Sequence, residues 1–232
     1  MARDWLIDEL AFAGAEHRDP AFVAGYDRKQ GHPDADEDLA EFFAQGLSRD
    51  STVIDFGAGT GQFALPAARR FKTVIAVDVS PEMVLVLEQR AAEAGLRNLS
   101  CLRSGFLSYE HRGPAVDGVY TRNALHHQPD FFKGIALDRI ARVLKPGGVL
   151  RLHDLIFDFQ PAEAGAALER WFSGASSDPS TGYTAADLAE HVRTEFSTYR
   201  WLLEPMLEVA GFEIARVEYV RSVYAAYTCR RR

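Results

Sequence analysis

The run Val53-Ile54-Asp55-Phe56-Gly57-Ala58-Gly59-Thr60-Gly61-Gln62-Phe63-Ala64 joins an apolar segment ending in an acid to three glycines at alternate positions. Asp78 closes a second apolar segment downstream. Glycines between a strand and a helix let backbone N–H groups approach a ligand with no Cβ in the way, and a helix N-terminus favours negative charge. The spacing predicts a cradle for a nucleotide-like cofactor. A second set of reactive residues follows two later apolar segments: Asn123, His126 and His127 after one, His153 and Asp154 at the end of the other. An imidazole titrating near neutrality can take a proton from a hydroxyl or amine, and His127, then His126, are the candidates for that role. Asp154 and Asn123 supply too few oxygen ligands for a hard cation, so no metal is expected.

These residues need elements to hold them. Short β-branched runs alternate with helical patterns from Ser51 to about Leu155, which predicts a parallel sheet covered on both faces. Strands are expected over Thr52–Phe56, Thr73–Asp78, Leu99–Arg103, Val116–Thr121 and Val149–Leu155. Ser80-Pro81 supplies a capping hydroxyl and a proline for the first helical position, and Asp130 is expected to cap the helix carrying Phe132, Ile135, Ile140 and Val143. Lys145-Pro146-Gly147-Gly148 should end that helix and turn into the fifth strand. Past Pro161, helices are expected over Glu163–Phe172 and Ala185–Val192 and around Trp201–Val209, the last kinked by Pro205. Phe212–Val220 and Val223–Cys229 read as a closing hairpin about Arg221-Ser222. The segment Leu6–Leu47 reads as helical and acidic, with a break near Gly31-His32-Pro33. In such sheets ligands bind beyond the carboxyl ends of the strands, which is where the acids and histidines fall.

Two cofactor classes use a glycine turn of this kind. Gly59 to Ala64 satisfies the dinucleotide pattern G-x-G-x-x-G/A, and Asp78 falls near the offset of a ribose-binding acid, so an NAD(P)-dependent oxidoreductase is one reading. Asp55 separates the two. A pyrophosphate gains nothing from a negative charge there, whereas a ligand with an amino group does. Asp55-x-Gly57-x-Gly59-x-Gly61, Asp78, Val116–His127 and Leu144–Gly148, arriving in this order, resemble the class I S-adenosylmethionine-dependent methyltransferases. The style is that of the ubiquinone/menaquinone-biosynthesis-like small-molecule methyltransferases, and the resemblance runs from roughly Tyr26 to the C-terminus.

The resemblance implies a Rossmann-like three-layer α/β sandwich with a seven-stranded, mostly parallel sheet and an antiparallel closing strand. It also implies an N-terminal helical lid over residues 1–47 and a methyltransferase domain over 48–232, with a helical cap inserted at about 160–200. The implied reaction is in-line methyl transfer from S-adenosylmethionine to a small-molecule acceptor, releasing S-adenosylhomocysteine. Gly57, Gly59 and Gly61 then form the turn under the methionine part, Asp55 orders that turn and holds the amino end, and Asp78 accepts the ribose hydroxyls. Val79 packs on adenine. Phe106 stands where the family often has an acid that contacts the adenine amino group. Arg122 passes beneath the sulfonium region, and Tyr26 matches a tyrosine that closes over the cofactor. A catalytically silent cofactor-binding module is the third reading.

The 232 residues are 47% hydrophobic with a formal charge of −7, enough for a full core and contrary to the basic balance that drives nucleic-acid binding. Cys101 and Cys229 lie far apart in expected strands, which suits buried thiols in a reducing compartment. Asp4, Asp8, Glu9, Glu16 and Asp19 are wrong for a signal peptide, and no apolar run approaches the ~20 residues a membrane span needs. A cytoplasmic protein without membrane or nucleic-acid partners is therefore expected. Gln160–Arg200 carries Trp171, Phe172, Tyr183, Phe196 and Tyr199, which suit either an acceptor pocket or a core; His191, Arg193 and Glu195 suit a polar anchor or a solvent face.

Overall fold

The computed structural model describes residues 5–14, 16–31 and 34–232. The break expected at His32-Pro33 lies outside them, although the adjoining Gly31 ends its helix with φ 75°. The first three helices are α1 (Glu9–Phe12), α2 (Pro20–Gln30) and α3 (Ala35–Ala44), each begun by an aspartate, Asp8, Asp19 or Asp34, whose carboxylate accepts a backbone N–H of the first turn.

The sheet strands β1 (Thr52–Phe56), β2 (Thr73–Asp78) and β3 (Leu99–Arg103) match the expected ranges. Between them lie the short α4 (Ala64–Ala68) and α5 (Pro81–Glu93), the latter capped by the Ser80 hydroxyl on the Met83 N–H at 3.1 Å. β4 (Val116–Arg122) leads to α6 (Asp130–Val143) and β5 (Leu144–Asp154). Asp130 does not cap α6. Pro129 takes the capping position without a side-chain bond, and the Asp130 carboxylate instead holds the buried Lys133 ammonium at 2.7 Å. β5 also begins earlier than expected: Val116 pairs with Leu144 and Gly118 with Val149, so Lys145–Gly148 bulges out of a continuing strand.

A small pair follows, β6 (Ile156–Phe157) with β7 (Thr198–Tyr199), enclosing α7 (Ala164–Ser173) and α8 (Ala185–Thr194). Trp171, Leu188, Phe157 and Phe159 form a separate apolar cluster there, so most of the aromatics of this region pack rather than line a pocket. α9 (Arg200–Val209) leads to β8 (Phe212–Val220) and β9 (Tyr224–Arg231). Arg221, Ser222 and Val223 join these two strands; Arg221 and Ser222 stand at the centre of the turn with φ 55° and 58°, and the Val223 N–H donates to the Val220 carbonyl at 3.3 Å. The large sheet runs β3-β2-β1-β4-β5-β9-β8, and β9 alone runs opposite to the other strands. It is a seven-stranded Rossmann-like sheet with helices packed against it. Among the described residues no helix is long and apolar enough to cross a membrane.

One buried carboxylate ties α3 to the sheet. Asp38 accepts from Tyr120 Oη (2.9 Å), Arg151 Nε (2.9 Å) and His153 Nε2 (2.6 Å), while Arg151 also donates to Thr228 of β9 at 3.1 Å. Burial pushes the Asp38 carboxyl up, but His153 and Arg151 more than offset it and hold it at about 2. Removing one partner of a buried ion pair strands the other, at a cost of about 3–5 kcal/mol. Asp38→Asn is therefore expected to destabilise the fold by about that amount at pH 7, measured by urea unfolding. Because its folded value lies below the ordinary ~3.9, Asp38's contribution is complete above that value and is lost as pH falls towards 2. Wild type and variant should converge in stability on acidification across that window.

Candidate active site

Strand order reverses between β1 and β4, and the crevice at their carboxyl ends is where open α/β sheets take ligands. β1 delivers Asp55 to it, 2% exposed, and the chain then turns so that the Gly57 and Ala58 N–H groups donate to the Val77 carbonyl of β2 (2.8 and 3.1 Å). Gly57 has φ 69°, and a Cβ there would lie 2.3 Å from the Ala124 Cβ beyond β4; at Gly61, φ 93°, it would lie 2.3 Å from Leu87 Cδ1 of α5. Neither position admits a side chain. α4 is only five residues long and carries no side-chain cap, so the cleft owes little to a helix dipole.

Asp78 ends β2 with both oxygens engaged, Oδ2 accepting from the Gly59 N–H and Oδ1 from the Ser80 N–H, each at 2.8 Å. Asp55 differs. Its Oδ2 is buried with no hydrogen-bond partner. Burial, then the neighbouring Asp78 charge, raises the Asp55 carboxyl well above the usual carboxylate range; burial raises Asp78 too, against the pull of the Ser80 and Gly59 amides. An idle buried carboxyl oxygen costs about 1–3 kcal/mol until a donor arrives.

α2 lies across this turn, with Tyr26 Cε1 3.7 Å from where a Gly59 Cβ would stand. Asp27 fastens it, accepting from the Thr60 hydroxyl (2.5 Å) and Gln62 Nε2 (3.1 Å) and pairing with Arg90 (2.6 Å). Phe106 stacks on Phe56 at 5.3 Å and, with Val79 and Met83, walls the cleft at Asp78. The acid at that loop comes instead from α1: buried Glu9 accepts from the N–H groups of Leu107 (3.0 Å) and Ser108 (3.1 Å) and the Ser108 hydroxyl (2.9 Å). No local pattern marks Glu9, because the contact exists only once α1 packs on the sheet.

A cavity of about 850 Å³ adjoins both clefts, and Tyr26 and Asn123 line all three spaces. Arg122 faces the Asp55 cleft and the cavity; His127 faces the Asp78 cleft and the cavity. His126 and His127 do come together here. His126 Nδ1 lies 2.5 Å from Asp154 Oδ1, its backbone N–H donates to Asp154 Oδ2 (3.1 Å), and its Nε2 lies 2.9 Å from Glu195 Oε2. The same Glu195 oxygen is 3.0 Å from His191 Nδ1 and 3.5 Å from His127 Nδ1, yet no donor is aligned to bond it, and His127 Nδ1 is likewise buried without a partner. Burial alone would lower the His126 imidazole, but Asp154 and Glu195 lift it to about 9. Burial and the His126 charge push His127 well below its ordinary value, so it is neutral at pH 7. Glu195 and His191 thus turn inward, a choice their sequence left open; the i,i+4 spacing of His191 and Glu195 is the signal that they share a face. His153 stays apart, bonded to Asp38.

Residues 53–148 match the family profile of a methyltransferase domain. That match, the glycine turn with its two acids and the sheet order agree with the class I S-adenosylmethionine-dependent methyltransferases that the sequence resembles. The chain is 26% identical over 165 residues, 70% of this chain and 69% of the relative, to an uncharacterized methyltransferase of Bacillus cereus. In fold it is similar to a SAM-dependent methyltransferase from Aquifex aeolicus (TM-score 0.62, 22% identity, covering 91% of this chain and 98% of that one). It is also similar to a SAM-bound magnesium protoporphyrin IX methyltransferase from Synechocystis (TM-score 0.68, 16% identity, 98% and 99%). The cofactor that this likeness implies is S-adenosylmethionine, and the cleft suits it: an idle buried carboxyl oxygen suits its ammonium, and the turn at Gly57 leaves no room for a Cβ beside it.

Burial raises the Asp55 carboxyl and a neighbouring ammonium favours its ionised form, so ligand binding and loss of the Asp55 proton are linked. Affinity for S-adenosylhomocysteine should then rise with pH across the range in which Asp55 of the free protein loses its proton. Calorimetry in buffers of different ionisation enthalpy should register the released proton, and Asp55→Asn should abolish it.

Proposed function

We propose that this methyltransferase transfers its methyl group to the hydroxyl or amine of a small molecule held in the 850 Å³ cavity. The observation that carries the reading is the meeting of three spaces at Tyr26 and Asn123: the cleft of the idle Asp55, the cleft of Asp78, and a cavity lined by His126 and His127. Bound S-adenosylmethionine supplies a methyl carbon on a sulfonium, which an acceptor lone pair displaces in line while the carbon–sulfur pair returns to sulfur.

The residues divide the work. Asp55 takes the ammonium, with Gly57, Gly59 and Gly61 giving the close backbone approach and Arg122 beside them. Asp78, its two oxygens already oriented by amides, takes the ribose hydroxyls. Val79 and Phe106 wall the adenine, and Glu9 is the carboxylate at that end, in the place Phe106 leaves without one. Tyr26 closes the cofactor side from α2. His127 presents its unpartnered Nδ1 at the boundary between cofactor and cavity and receives the acceptor's proton, while His126 is held by Asp154 beside it. Residues 1–47 act as a lid and residues of about 160–200 as a cap; Gln30 of α2 donates to the Tyr183 hydroxyl at 2.8 Å, joining the two over the cavity. A dinucleotide would place its pyrophosphate against Asp55, which argues against the oxidoreductase reading.

Calorimetric titration with S-adenosylhomocysteine beside NAD(H) tests the cofactor assignment: binding of the former alone supports it, and binding of NAD(H) alone contradicts it. A methyl-transfer assay over phenols, quinols and amines then tests the acceptor class. With an accepted substrate, His127→Ala should lower kcat by about 10²–10⁴-fold and leave S-adenosylhomocysteine affinity unchanged.

A further inference from the structure

Glu195 Oε2 lies 2.9 Å from His126 Nε2, 3.0 Å from His191 Nδ1 and 3.5 Å from His127 Nδ1, with no donor aligned to it. One donor atom each from His126, His127 and Glu195 lie within 4.8 Å of one another. Bonds of about 2.0–2.2 Å to nitrogen and oxygen at tetrahedral angles put neighbouring donors roughly 3.3–3.6 Å apart, so the Glu195 oxygen draws back from His126 Nε2 by a few tenths of an ångström to admit an ion. We propose that His126 Nε2, His127 Nδ1 and the Glu195 carboxylate form a binding site for a divalent first-row transition ion, facing the large cavity.

Three further features suit that assignment. The Asp154 carboxylate on His126 Nδ1, at 2.5 Å, fixes the ring with Nε2 directed at the cluster, as carboxylates do behind metal-bound histidines. The charges match: two carboxylates, Asp154 and Glu195, with two neutral imidazoles balance a dication. The Glu195 backbone is also anchored. The next residue, Phe196, donates its N–H to the His126 carbonyl at 2.9 Å and accepts from the buried Lys133 ammonium on its own carbonyl. Imidazole ligands favour a zinc-like ion over magnesium or calcium.

The site's use in catalysis rests on the proposed methyl transfer to a cavity-bound acceptor. The ion accepts the acceptor oxygen or nitrogen as a further ligand, lowers its pKa, and lets its proton leave to solvent before the lone pair attacks; no oxidation state changes. With the ion bound, His127 Nδ1 is a ligand and the acceptor's proton leaves to solvent; without it, His127 receives that proton as proposed above.

The test is equilibrium dialysis of metal-stripped protein against Zn²⁺ or Mg²⁺ with elemental analysis, and titration with Co²⁺ followed by its visible d–d absorption. S-adenosylhomocysteine affinity, measured on the same samples, reports the cofactor site separately and checks that each variant is folded. Wild type and the distant His111→Ala should bind one equivalent of Zn²⁺ or Co²⁺ and ignore Mg²⁺. Glu195→Gln and His127→Ala should bind at least about tenfold more weakly while keeping their S-adenosylhomocysteine affinity. Wild type that binds S-adenosylhomocysteine but no stoichiometric Zn²⁺ or Co²⁺ overturns the metal site and leaves the methyltransferase reading standing. Variants that retain wild-type Zn²⁺ affinity overturn it equally.

Discussion

Asp55 sits at the end of a strand buried on both faces, next to a second buried acid, with one oxygen that the protein leaves idle. Such a group survives only where the surroundings hold it in place, and much of the architecture at this edge of the sheet does so. Pairing of β1 with β2 and β4 fixes the backbone beneath it. The glycine turn that follows is pinned by the Val77 carbonyl on one side and Ala124 on the other. Asp27 then straps α2 across the turn through Thr60, Gln62 and Arg90, which brings Tyr26 over it. The strain of a buried acid is thus concentrated where a cationic ligand relieves it.

The second buried carboxylate hub works in the opposite sense. Asp38 is saturated with donors, and its role is to lock α3 to β4, β5 and, through Arg151, β9. Its partners Tyr120 and His153 lie in strands whose carboxyl ends bear Arg122, Asn123 and Asp154. A satisfied network under the sheet therefore sets the floor of the unsatisfied site above it.

Strand bounds, the glycine turn, its two acids and the closing hairpin were legible in the sequence because each is a local pattern: alternation, φ-demanding residues, capping hydroxyls. What was not legible depends on packing between distant segments. Asp130 looked like a cap, but Lys133 is drawn into the interior one turn later and takes its carboxylate. Lys145–Gly148 looked like a terminator, yet β4 continues to pair on both sides of it. The histidine pair was visible and Glu195 was singled out with His191, but nothing local chose between an anchor and a solvent face; Glu9 carried no site signal at all, since it reaches the loop only once α1 docks on the sheet. The missing carboxylate count at the histidines was the direct result: without Glu195 the group reads as a pair of bases, and with it as a possible set of ligands.

The central claim is that the idle Asp55 oxygen and the amide-oriented Asp78 receive one cofactor between them. A crystal structure of the complex with S-adenosylhomocysteine tests it most directly. The account predicts the ligand's ammonium within hydrogen-bonding distance of Asp55 Oδ2, its ribose hydroxyls on Asp78 and its sulfur facing the large cavity. A complex in which Asp55 Oδ2 remains without a partner, or in which the ligand lies outside the glycine turn, would contradict it.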